Sequence, residues 1–204
     1  SDIWTVNGNV AATVLVSMSL YGVFLTVASL ATNAALERTS GISRLYATTP
    51  LSPIANTCAR IGASMGIAVV ITGITYAVGA ATGAKMYASA WIQTPLLILA
   101  SSILASAQGL AMAFAVRSDG AFAASSAVTV FSGFLSGMFI PISQMGSFFQ
   151  AVAPYAPMYG ITSLVQLPLY GWETFKWSYV VNLVAWTLFF ILLAAWAQRR
   201  DTSR

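Results

Sequence analysis

Glu37-Arg38-Thr39-Ser40-Gly41-Ile42-Ser43-Arg44-Leu45-Tyr46-Ala47-Thr48-Thr49-Pro50-Leu51-Ser52-Pro53 is a charged, amphipathic island between two segments apolar enough to cross a bilayer. Those segments run from Val10 to Leu36 and from Pro53 to Ala81. Ile42, Leu45 and Tyr46 fall at i, i+3 and i+4, so a short helix here has one apolar side, with Ser43, Arg44 and Thr48 on another. Such a helix lies along the membrane surface. Thr49-Pro50 disfavours helix at Thr49, and Ser52-Pro53 supplies an N-cap followed by proline at the first helical position, so the next span starts afresh. From these residues alone two readings stay open: a helix that docks on something outside the lipid, or a topology anchor whose apolar face floats at the surface.

Composition names the solvent. Hydrophobic residues make up 58% and charged residues 7%, whereas a soluble domain carries about a quarter charged residues to cover its surface. With a mean hydropathy of +0.79, lipid is the main surroundings of this chain. Its single cysteine, Cys58, excludes an intrachain disulfide, and the lack of histidine removes the commonest metal ligand and general base. No metal site and no catalytic residues are expected. The net charge of +4 is spread over the loops rather than clustered on one face, which argues against nucleic acid as a partner.

A helix needs roughly 20 apolar residues to cross the hydrocarbon core, and helices satisfy their own backbone polar groups there. Five candidates follow: Val10 to Leu36, Pro53 to Ala81, Trp91 to Val116, Phe122 to Ile140 and Trp177 to Ala197. No acidic or basic residue lies deep in any of them. Arg38, Arg44, Arg60, Arg117, Arg199, Arg200 and Arg204 fall at one set of span ends, against Lys85 and Lys176 at the other, where Asp2 and Glu173 offset them. The positive-inside rule puts the arginine-bearing ends in the cytoplasm and the first residues outside. Ser1-Asp2-Ile3-Trp4 has neither an initiator Met nor a basic leader, so the expectation is a chain that begins partway along, with a span before it. Gly62/Gly66, Gly79/Gly83 and Gly133/Gly137 keep the spacing that lets helix backbones approach, either within the bundle or at a dimer face.

Between Ile140 and Trp177, Phe148, Phe149 and Val152 give an apolar helical face, and Pro154 and Pro157 break it. Two short helices dipping into the outer leaflet are expected. Tyr155, Tyr159, Tyr170, Trp172 and Trp177 suit an interfacial aromatic belt. Within the spans, Thr13, Ser17, Asn33, Gln93, Gln108, Ser132 and Asn182 either face a path or bond between helices.

The island resembles the segment joining the second and third spans in permeases of the type-2 ABC exporter family: a Glu-Arg pair, then Gly, a basic residue, a short apolar helix and Thr-Pro-Leu-Ser-Pro. Ser136-Gly137-Met138-Phe139-Ile140-Pro141-Ile142-Ser143-Gln144-Met145 and Pro154-Tyr155-Ala156-Pro157-Met158-Tyr159-Gly160 are similar to that family's outer end of the fifth span and the loop after it. With matching span spacing, the similarity covers nearly the whole chain, apart from the family's first span and its preceding elbow helix. The resemblance implies an all-α polytopic membrane helix bundle, a single domain over residues 1–204, with five visible transmembrane helices where the family has six. It implies a cytoplasmic coupling helix carrying Glu37, Arg38, Gly41, Ile42, Arg44, Leu45, Tyr46 and Pro50, seated on an ATP-binding subunit. It also implies short re-entrant external helices and an outer gate loop with Phe139, Pro141, Phe148, Phe149, Pro154 and Pro157. The expected partners are ABC ATP-binding subunits, a second permease subunit, membrane lipid and an amphipathic small molecule exported across a bacterial cytoplasmic membrane.

The chain has no Gly-x-x-x-x-Gly-Lys-Ser/Thr phosphate loop, so ATP and Mg belong to the partner and no cofactor is expected on this chain. A secondary transporter or channel is the rival reading, but ion coupling usually marks itself with an ionisable residue inside a span. An intramembrane enzyme would want a histidine or paired carboxylates in the spans. A noncatalytic assembly subunit shares every feature except the coupling helix.

Overall fold

The structure, a computed structural model, describes residues 4–5, 7–39, 48, 53–116 and 118–202. A two-stranded antiparallel ribbon, β1 (Trp4–Thr5) and β2 (Gly8–Asn9), leads directly into α1 (Val10–Thr39). Asn9 makes this start. Its Oδ1 accepts from the amide of Ala12 at 3.0 Å, the N-cap arrangement that satisfies one of the unpaired amides of a first turn. The same oxygen accepts from the amide of Lys85 at 3.0 Å, and Nδ2 donates to the carbonyl of Gly83 at 2.9 Å. One buried side chain therefore caps the first span and ties it to the turn that follows the second.

That second span, α2 (Pro53–Ala81), closes with the amide of Ala84 returning to the carbonyl of Gly79 at 2.9 Å. Gly83 adopts φ +99°, which only glycine does without strain. The third span is one bent rod made of α3 (Ala88–Ala100) and α4 (Ser102–Ala115). Pro95 removes a helical donor, and at Ser101 the amide divides between the carbonyls of Leu97 and Ile98, both at 3.1 Å. Next comes α5 (Ser118–Leu135), then a turn in which Gly137 has φ +82° and Ile142 packs where a Cβ would stand. The expected fourth span thus stops at Leu135 instead of Ile140. Two shorter helices, α6 (Ser147–Val152) and α7 (Tyr159–Tyr170), alternate with one-turn 3-10 segments at Ile142–Gln144, Ala153–Tyr155 and Trp172–Thr174, and α8 (Trp177–Thr202) ends the fold.

The all-α polytopic bundle expected from the sequence is the architecture observed. Val10–Glu37, Gly62–Ala81, Ala88–Ala115 and Trp177–Arg200 are long and apolar enough to cross a membrane, while the apolar part of α5, Gly120–Leu135, is shorter. The 18 residues of α5 rise about 27 Å at the helical pitch, just under a hydrocarbon core of about 30 Å. In the crossing segments, half or more of the first and third is buried inside the protein (50% and 56%), against 22% and 11% of the second and last. So α1 and the bent rod form the interior, and the described parts of α2 and α8 lie at the periphery with most of their surface exposed.

A close helix approach lies between α1 and α4. A Cβ at Gly109 would overlap the carbonyl oxygen of Ala28 and stand 2.8 Å from Cβ of Ala31. Thr32 Oγ1, one turn along, donates to the carbonyl of Ala28 at 2.8 Å and reaches that of Gly109 at 3.2 Å. Of the glycine pairs read from spacing, Gly62 and Gly66 face open space within this chain, and Gly79 packs against Leu15. The residue that brings two backbones together, Gly109, keeps the four-residue small spacing with Ala105 and Ala113, both buried.

Asn9→Ala removes the cap and strands the amide of Lys85 and the carbonyl of Gly83, so it is expected to cost about 2–3 kcal/mol. Asn9→Ser, which keeps only the cap, should cost less. Thermal unfolding of the detergent-solubilised protein ranks the two.

Candidate functional site

The sequence marks two ends of the bundle, and the structure describes them unequally. At the far end of α1, half-buried Glu37 accepts a hydrogen bond at Oε1 from Nδ2 of Asn33 at 3.2 Å. Arg38 belongs to the last turn of α1. Gly41, Ile42, Arg44, Leu45, Tyr46 and Pro50 lie outside the described residues.

At the opposite end the six gate-loop residues occupy separate settings. The Phe139 ring packs edge-on to Tyr21 of α1 at 5.4 Å and tilted against Phe134 of α5 at 5.0 Å. Phe148 and Phe149 stack edge to face at 5.6 Å and stand 70% and 49% exposed, as lipid-facing aromatics do. Pro141 is exposed at the start of the first 3-10 turn, and Pro157 is half-buried before α7. The carbonyl of Pro154 is held by Asn182 of α8, whose Nδ2 donates to it at 3.0 Å and to the carbonyl of Ala156 at 3.1 Å. Oδ1 of Asn182 accepts from the amide of Gly160 at 2.9 Å, and Gly160 lies so close to the carbonyl of Tyr179 that a Cβ there would overlap it. Trp186 Nε1 adds a bond to the carbonyl of Tyr155 at 3.0 Å. Burial, and then the neighbouring Tyr179, push the Tyr159 hydroxyl pKa upward, so that group stays neutral. At its other end, α7 is fastened through Asn7, which donates from its side chain to the carbonyl of Pro168 at 2.9 Å and from its amide to that of Leu169 at 3.0 Å.

A third feature lies between the ends. The described parts of α1, α2 and α4 enclose a cleft of about 410 Å³. Nearer the capped end, α2 is locked to α3 by Tyr76, whose hydroxyl meets Thr94 Oγ1 at 2.6 Å and whose ring lies edge-on to Trp91 at 5.7 Å. Beyond Ser101 the described parts of α2 and α4 touch one another little. Small residues leave the gap unfilled: Ala31 and Ala34 on α1, Ala63 and Ser64 on α2, Ser102 and Ser106 on α4. None of the described lining residues is charged. Ser102 is only 5% exposed, and its Oγ has no hydrogen-bond partner. A buried polar group left unpaired costs about 1–3 kcal/mol.

Of the seven polar residues singled out within the spans, Asn33 lines this cleft. Others are spent elsewhere: Ser17 accepts from Gln166, Gln93 from Trp172, and Gln108 donates to Thr129 at 2.8 Å across the α4–α5 contact. Sequence reading missed Ser64, Ser102 and Ser106. Their only signal is the i, i+4 spacing of Ser102 and Ser106, which in a run of alanines is indistinguishable from ordinary small-residue packing.

Replacing Asn182 with alanine strips partners from one amide and two carbonyls of the loop. Hydrogen exchange should then accelerate about tenfold or more over 153–160, while the middle of α1 stays protected.

The description "ABC-2 family transporter protein" belongs to a family model that matches residues 5–196. No curated protein matches the chain, and no solved structure does. The match runs from the ribbon before α1 to the last turns of α8, and the chain belongs to the ABC-2 transporter family, as a transmembrane permease.

Proposed function

We propose that this permease exports neutral, amphipathic small molecules from the cytoplasm of a bacterium, driven by ATP hydrolysis on partner subunits. Family membership brings ABC ATP-binding subunits as partners. The observation that carries the cargo class is the interior: among the described residues every buried polar side chain is neutral, from Asn9 to Asn182. Ion-coupled transport relies on ionisable groups within the membrane, and a charged cargo would enter this bundle without a counter-charge. A neutral molecule with an apolar body meets neither obstacle.

In this reading Glu37 to Pro53 is the coupling element. Its apolar residues Ile42, Leu45 and Tyr46 seat on the ATP-binding subunit, and Glu37, Arg38 and Arg44 set the register. Exposed ion pairs contribute only about 0–1 kcal/mol each, so the apolar contacts dominate docking. The permease works as a pair with a second copy or a related subunit, and closure of the ATP-binding subunits rocks the two bundles as packed bodies. Asn182 and Trp186 support this, since they let the external loop move with α8.

Purification in lipid with its partners tests the coupling element. Leu45→Asp combined with Tyr46→Asp should abolish copurification of the ATP-binding subunit, or cut its lipid-dependent ATP hydrolysis at least tenfold, with insertion and thermal stability of the permease retained. Unchanged copurification and hydrolysis would return the island to a topology anchor.

A further inference from the structure

The geometry points to the cleft between α1, α2 and α4 as a binding site, within one permease chain, for a neutral amphiphilic cargo whose hydrogen-bonding group is received by Ser102. The inference deepens the cargo class proposed above and rests on that reading for the occupant being cargo. Binding itself needs no ATP.

The Ser102 hydroxyl carries the argument. Several hydroxyls inside helices of this protein donate to the carbonyl four residues back: Ser29 to Leu25, Thr72 to Ala68, Thr75 to Ile71 and Thr187 to Leu183, all at 2.7–2.8 Å. Ser19 of α1 is, like Ser102, buried without a partner, but it does not line the cleft. The corresponding acceptor for Ser102 is the carbonyl of Ile98. At the bend that oxygen already accepts from both the amide and the hydroxyl of Ser101, and a carbonyl has two lone pairs. The kink at Ser101 therefore frees the Ser102 hydroxyl from its own helix, and burial keeps it from water. Ser102 lines the cleft, with Ser106 one turn further along the same helix.

The walls define the rest of the ligand. A volume of about 410 Å³ lies within the range of small-molecule sites, which are mostly apolar with a few placed polar groups. The described lining residues carry no charge, so among them a cation or anion would pay its desolvation without return. A neutral molecule with an apolar body and one carbonyl, ether or hydroxyl satisfies both the walls and Ser102. Of the lining residues, Asn33 on α1 and Ala63 and Ile67 on α2 are exposed, and in this reading such a molecule reaches the cleft past them from the bilayer.

The test uses the complex in lipid nanodiscs without nucleotide. Two fluorescent probes are titrated: Nile red, neutral with a carbonyl acceptor, and pyrene, a hydrocarbon with none. Saturable Nile red binding above that of empty nanodiscs is expected, weakened about 3–10-fold in Ser102→Ala, with pyrene binding unchanged in the same variant. Ala34→Leu with Ala63→Phe, which fills the cleft from its mouth, should abolish saturable binding of both probes without loss of the ATP-binding subunit. ATP with Mg should then release Nile red from the wild-type complex. Equal Nile red affinity in wild type and Ser102→Ala, saturable binding that survives filling, or no binding above empty nanodiscs overturns the site. Nucleotide-independent binding that is lost in Ser102→Ala overturns the occupant as cargo. Failure of the coupling variant leaves all of these binding results standing, so the two readings fail separately.

Discussion

A chain immersed in hydrocarbon must satisfy its own polar groups, because no water is at hand to do it. That constraint organises this bundle. Helical backbones satisfy themselves along their length, and what remains falls to a few side chains at the places where helices start, bend or meet. Asn9 serves the start of α1 and the turn after α2, and Asn182 serves three backbone groups of the external loop. Thr32 joins α1 to α4 where Gly109 lets the backbones touch, and Gln108 joins α4 to α5. Each interhelical tie is a neutral hydrogen bond, which fixes geometry without the desolvation cost of an ion pair.

Small residues act in two opposite ways along α1. At Ala28 and Ala31 they meet Gly109, and the helices close to contact. From Ala31 to Ala34, on the side facing α2, they meet Ala63, Ser64, Ser102 and Ser106, and nothing fills the space. The difference falls at Ser101, just beyond Pro95, where the third span divides into α3 and α4. Pro95 and Ser101 therefore position the cleft without lining it. The same bend occupies the carbonyl of Ile98 and leaves the Ser102 hydroxyl available, so the shape and the chemistry of the cleft have a common cause.

Much of the bundle was legible in the sequence. Apolar length located α1, α2, the bent rod and α8 to within a few residues, since span length is set by bilayer thickness and leaves little freedom. The end of α5 was misplaced because Met138, Phe139 and Ile140 are as apolar as the helix before them; the stop is a backbone event at Gly137, which hydropathy does not register. Two short external helices were expected and α6 and α7 are found, but the fastening of α7 escaped for a related reason: the partners of Asn182 and Asn7 are backbone groups, and backbone groups are present at every position. The cleft was illegible for a deeper one. It consists of side chains that are missing, and alanine and serine read alike whether they pack a contact or line a void.

Family membership accounts for a membrane subunit with ATP-binding partners, and the neutral interior is the ground for the cargo class proposed above. The most direct measurement is transport of a fluorescent alkyl glycoside, a neutral amphiphile that crosses bilayers slowly, into inside-out vesicles bearing the complete complex. Accumulation that requires ATP and persists after ion gradients are collapsed is the predicted result. Accumulation that follows an imposed ion gradient without ATP, or none with ATP present, would contradict it.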